Sequence, residues 1–207
     1  MWALREKLMS DVRQLLDQPL PVGSEGKLAG GWWGILALIV TEGSLFGYLL
    51  FTYFYLSAQA EQHWPPEGLP SLLLPSINTA ILVASSVFVW ASEYCLARKR
   101  KRKSMAAMLL AIVLGALFVG IQLVEWSRKT YGMTSDLYGS LYFTITGFHM
   151  LHVVIGLVIL LLLLVWISFR YFDEERHAAI TIGGIYWHFV DIVWLFVFST
   201  LYLFPYI

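Results

Sequence analysis

Five separate stretches of this chain are each long and apolar enough to cross a lipid bilayer, and this restricts the fold to a bundle of membrane helices. A crossing takes about 20 residues at about 1.5 Å each. The stretches run from about Trp32 to Leu56, Leu72 to Tyr94, Met105 to Trp126, Tyr138 to Phe169 and Gly184 to Tyr206. The fourth is longer than a bilayer requires, so a tilt or a projection beyond the lipid is expected. Only 14% of the 207 residues are charged, against about 25% in a soluble domain. A chain this short still needs a polar surface in water, so its apolar surface must face lipid. Pro65, Pro66 and Pro70 mark the first loop, and Pro75 sits near the start of the second helix, where proline is tolerated. The expected fold is an all-α polytopic bundle of five transmembrane helices over residues 31–207, preceded by a tail over residues 1–30.

The distribution of Lys and Arg orients the bundle. Arg5, Lys7, Arg13 and Lys27 lie in the tail, and Arg98, Lys99, Arg100, Lys101, Arg102 and Lys103 lie between the second and third spans. Arg170 and Arg176 follow the fourth span, which puts twelve basic residues on one side, against Arg128 and Lys129 on the other. The first side is expected to be cytoplasmic, leaving the N-terminus inside and the C-terminus outside. The tail shows no apolar signal segment, so the first span is expected to act as its own insertion signal. The run 98–103 sits in a tight loop between spans and is read as a topology determinant, with anionic lipid contact as a compatible addition. A net charge of zero offers no global bias toward nucleic acid. The lone Cys95 excludes an internal disulfide framework.

Charged groups near the bilayer centre cost at least about 2.5 kcal/mol and need partners. Glu42 lies near the middle of the first span, and His149 and His152 lie at similar depth in the fourth, sharing one helix face by their i, i+3 spacing. His188 and Asp191 form a second i, i+3 pair in the fifth span, and Gln122 and Glu125 a third near the outer end of the third span. Asn78 lies early in the second. Together they describe a polar seam, with Glu42 expected to be buried and bonded to a histidine of the fourth helix. Three chemistries compete for it: a metal site, a proton or ion path with Glu42 as relay, and structural polar pairs that fix helix register. A second Glu-x-x-His motif, which a di-iron centre would need, is missing, and no serine has histidine and carboxylate partners at recognisable spacing. No catalytic, cofactor-binding or metal-binding residue is therefore assigned.

Several segments taken together resemble subunit III of the haem–copper respiratory oxidases. They are WGILALIVTEGSLFGYLLFTYFYL, LPSINTAILVASSVFVWAS, LGALFVGIQLVEW, YGSLYFTITGFHMLHVVIG and YWHFVDIVWLFVFSTLY, in the family's order. The Thr-Gly-Phe-His-x-x-His-Val core and the Tyr-Trp-His-Phe-Val-Asp segment are highly specific. Trp126 stands where the family usually has tyrosine, and the ending Phe204-Pro205-Tyr206-Ile207 departs from the commoner Trp-rich one. By position, Glu42 matches the family's buried helix glutamate, Glu125 the glutamate closing the third helix, and His149, His152, His188 and Asp191 the motif residues.

The resemblance implies a non-catalytic subunit in a bacterial inner membrane, without redox cofactors of its own. It implies packing on subunit I, which carries haem and copper and reduces oxygen. Subunit II would lie in the same complex, cytochrome c would be reached only through that complex, and nucleic acid would not be a partner. It also implies support of proton uptake and contact with a bound phospholipid. Larger members have a two-helix unit before the five and hold lipid in the cleft between the two groups. Here that cleft would be open or completed by another subunit. A quinol oxidase subunit, an accessory subunit of nitric oxide reductase and a stand-alone proton channel or transporter are the alternatives.

Overall fold

The computed structural model describes residues 30–60, 64–66, 68–169 and 178–206. The expected tail, apart from the Gly30 backbone, lies outside these residues, as do Arg170 and Arg176. The described chain is all-helical: α1 (Gly30–Gln59), α2 (Leu73–Ala97), α3 (Lys101–Ser127), α4 (Leu137–Ser168) and α5 (Ala178–Phe198). All five are long and apolar enough to span a membrane, making this a multi-pass membrane protein.

Two starts differ from those expected. α3 begins at Lys101, inside the basic run, and α5 at Ala178, six residues before Gly184. Gly183 and Gly184 resemble a helix breaker in the sequence, but both are buried within the helix. A Cβ at Gly183 would lie 2.6 Å from Leu163 Cδ1, so the glycine lets α5 approach α4 closely. α2 ends in a Schellman turn, with Arg100 N–H donating to Cys95 O at 2.9 Å and Lys99 N–H to Leu96 O at 2.8 Å. Lys99 takes the left-handed position of that turn, with φ of 60°. At the start of α4, Asp136 caps the helix by accepting from Gly139 N–H at 2.5 Å.

Helices α2, α3, α4 and α5 form an up-and-down ring, with α2 and α3 paired most extensively. Small residues allow that pairing: Ser92 Oγ lies 3.0 Å from Ser104 Oγ, and both serines are fully buried. α1 stands outside the ring, and its main contacts are with α5 and α4. Its apolar window is only 11% buried, against 44% for the last span, so α1 is peripheral and α5 central.

Trp187 of α5 joins the four helices of the ring. It is fully buried, and its indole N–H donates to Ser85 Oγ of α2 at 2.9 Å. A Cβ at Gly115 of α3 or Gly156 of α4 would lie 2.7 or 2.8 Å from its ring carbons. Two glycines thus leave a slot for the largest side chain available. Beyond Phe198, α5 widens into a π turn over Ser199–Leu203 and closes with a 3₁₀ turn over Phe204–Tyr206. The wide turn places Thr200, Leu201 and Tyr202 inward in succession, which a regular helix at 100° per residue does not do.

Candidate functional site

The polar residues within the spans do not form one seam. They divide into separate ties between helices, four of which hold the histidines and carboxylates singled out above; Asn78 of α2 makes another, donating to Phe118 O of α3 at 3.3 Å.

The first joins α1 to α4. Glu42 Oε2 lies 3.1 Å from His152 Nε2, and His152 Nδ1 lies 2.7 Å from Phe148 O. A carbonyl oxygen only accepts, so Nδ1 carries a hydrogen. The contact between Nε2 and Glu42 then needs a further proton, shared between a carboxyl and an imidazole. Phe46 packs edge-on against the His152 ring with centroids 5.2 Å apart, and the Tyr186 hydroxyl donates to His152 O at 3.3 Å. Glu42 is less enclosed than expected, with 31% of its side chain exposed. It faces an apolar groove of about 490 Å³ between α1, α4 and α5, lined by Ile35, Leu38, Ile159, Trp166 and Ile182 among others.

His149 takes no part in that pair. Its Nε2 meets Val190 O of α5 at 3.2 Å, and its ring is enclosed by Phe118 and Trp194 at 5.8 and 4.8 Å. The i, i+3 histidines of α4 thus turn to different neighbours: one fixes α4 against α5, and the other reaches α1.

The third tie joins α2 to α5. Ser86 Oγ donates to Asp191 Oδ2 and lies 3.0 Å from His188 Nδ1. Nearer the basic end of the bundle, Thr181 Oγ1 donates to Glu93 Oε1. Sequence reasoning missed Ser86, Glu93 and Thr181. The adjacent serines Ser85 and Ser86 were the available signal, since one faces Trp187 and the other His188 and Asp191.

The fourth tie closes the opposite end. Glu125 Oε1 of α3 accepts from the Tyr202 hydroxyl at 2.8 Å and the Tyr142 hydroxyl at 3.1 Å, and lies 3.3 Å from Lys129 Nζ. The two hydroxyls are 2.9 Å apart, and Lys129 stands 4.8 Å from the Tyr142 ring centroid. Lys129, just past the end of α3 and four residues after Glu125, brings its charge to the buried carboxylate. Neither tyrosine belongs to a motif that marks it in the sequence, although Tyr142 follows the inward periodicity of Tyr138, Ile145 and His149.

In the basic run, Lys101 Nζ donates to Ser168 O at 3.0 Å, satisfying a carbonyl in the last turn of α4. Arg98 lies over the Tyr94 ring at 4.3 Å, and Arg100, Arg102 and Lys103 are exposed. Among the described residues, no three His, Cys, Asp or Glu side chains converge as metal ligands would.

Fold and site together define a polytopic membrane bundle whose buried polar groups tie helices to one another, with a Glu–His contact beside an apolar groove. The chain belongs to the cytochrome c oxidase subunit III family: a family model of that description matches residues 26–206. The chain is 34% identical over 173 residues to the cytochrome c oxidase subunit 3 of Thermostichus vulcanus, covering 82% of this chain and 85% of the relative. It is 32% identical over 177 residues to that of Papio hamadryas, covering 82% and 68%. The Paracentrotus lividus protein of that name is 34% identical over 175 residues, covering 81% and 67%. The chain is thus consistent with a non-catalytic subunit III of a haem–copper oxidase, and its family places it in a complex with other oxidase subunits.

Proposed function

We propose that this chain is the scaffold subunit of a proton-pumping cytochrome c oxidase in a bacterial inner membrane, packed on the haem- and copper-bearing subunit I beside subunit II. The family match over residues 26–206 carries this reading. Cytochrome c is reached only through the complex. The end bearing Arg98–Lys103 faces the cytoplasm, in keeping with the excess of basic residues there. The Glu42–His152 pair supports proton uptake by holding one proton at mid-span, and the groove beside it accepts an acyl chain of a phospholipid. The groove lining is almost wholly apolar, which suits a chain and not a headgroup.

The test is purification of the complex through a tag on this chain. A haem-bearing large subunit is expected to accompany it, with the optical spectrum of the dinuclear copper centre in the same preparation. Absence of any haem-bearing subunit would sink the proposal, and absence of the copper signal would reassign the donor to a quinol. Replacing Glu42 with Gln is expected to leave haem content and spectrum unchanged, because no atom of Glu42 would touch haem. Loss of haem in that variant would point instead to a direct cofactor role.

A further inference from the structure

The tie between α2 and α5 ends in an unsatisfied group at the middle of the bundle. Ser86 gives its single hydroxyl hydrogen to Asp191 Oδ2. Its oxygen is then free only to accept, so the contact at 3.0 Å means that His188 Nδ1 carries the hydrogen. In a neutral imidazole the other nitrogen, Nε2, is left as a bare acceptor. It has no hydrogen-bond partner among the described residues, and His188 is only half-buried.

Lipid cannot complete this arrangement. Ser86 and His188 lie near the midpoints of their helices, where the surrounding hydrocarbon offers no hydrogen-bond donor. The flanking residues are large, apolar and exposed: Val83 and Trp90 on α2 stand three before and four after Ser86, and Ile192 on α5 stands four after His188. A polar centre within an apolar field is how membrane helices recognise each other: apolar side chains supply packing, and one hydrogen bond fixes register.

We infer that this α2–α5 face is the contact surface for a transmembrane helix of the haem-bearing partner subunit, and that the helix donates a hydrogen bond to His188 Nε2. The donor is a hydroxyl, amide or indole N–H, the groups that give one hydrogen bond between membrane helices without bringing a further charge to this depth. The inference rests on the proposed place of this chain in an oxidase complex.

The intact complex tests it through a photoreactive benzophenone side chain at position 87, beside Ser86, or at position 161 on the outward face of α4. Val87 and Leu161 are comparably exposed, at 58% and 51%. Irradiation is expected to link position 87 to the haem-bearing subunit and position 161 to lipid alone. His188→Leu is expected to speed loss of this subunit from the complex by about threefold to tenfold, the range for one hydrogen bond between membrane helices. His188→Gln, which restores an acceptor, should stay near the unmodified rate. A complex that carries haem but gives only lipid adducts at position 87, or is indifferent to His188→Leu, overturns the inference and leaves the proposed function standing. A preparation with no haem-bearing subunit overturns both.

Discussion

Trp187→Ala is expected to destabilise this subunit by about 3 kcal/mol, the lower end of the range for emptying a large aromatic site. The lower end applies because lipid already solvates apolar surface in the unfolded membrane state, leaving lost packing as the main cost. The indole touches three other helices: its N–H meets Ser85 on α2, and its ring fills the slot at Gly115 on α3 and Gly156 on α4. Truncation therefore loosens the whole ring. The measurement is the temperature at which this chain leaves the purified complex, followed by size-exclusion chromatography while the haem spectrum reports on the partner. Trp187→Phe keeps most of the filling and loses the bond to Ser85, so its effect should be near 1 kcal/mol. An alanine variant as stable as the unmodified chain would remove Trp187 from its assigned position. A bulky residue at Gly156 should reproduce the defect from the opposite direction, since its Cβ alone would approach the ring to 2.8 Å.

The second large effect is expected at Glu125. Glu125→Ala removes the acceptor shared by Tyr142 and Tyr202 and the counter-charge of Lys129. The tyrosines can still bond one another, but only one of their two hydroxyl hydrogens then has an acceptor. An unsatisfied buried hydroxyl and an unpaired ammonium together cost about 2–4 kcal/mol. Glu125→Gln retains a carbonyl oxygen for the tyrosines and loses only the charge, so about 1 kcal/mol is expected. The same thermal release assay separates the two. Equal effects of Ala and Gln would show that charge, and not hydrogen bonding, holds this end of the bundle.

The number and approximate extent of the spans were legible because lipid imposes one simple requirement, about 20 apolar residues. Boundaries were less so. Residues 178–183 lie before the apolar run that marked the fifth span, and the close packing of Gly183 against Leu163 cannot be read from that run. For the site, depth could be counted from the sequence but azimuth could not. Glu42, His149 and His152 could be placed at one level. Which histidine turned toward α1 depended on the rotation of α4, and that is set by packing around Phe118, Trp194 and Val190. Partners with common side chains were harder still. Ser86, Tyr142 and Tyr202 are ordinary residues in membrane helices until folding sets each beside a carboxylate. Tyr202 also depends on the π turn, which has no signature in the segment Ser199–Leu203.

The peripheral position of α1 bears on how the chain is made. Ribosomes deliver helices in order, so α1 enters the membrane before its main docking surfaces on α4 and α5 have been synthesised. The α2–α3 hairpin can close as soon as it emerges, but α1 must wait beside it in the bilayer. Until α4 arrives, Glu42 has no His152, so it crosses into lipid as a solitary acid. Closure of that pair is therefore a late event in biogenesis, and a truncated product ending before α4 would leave the first helix undocked.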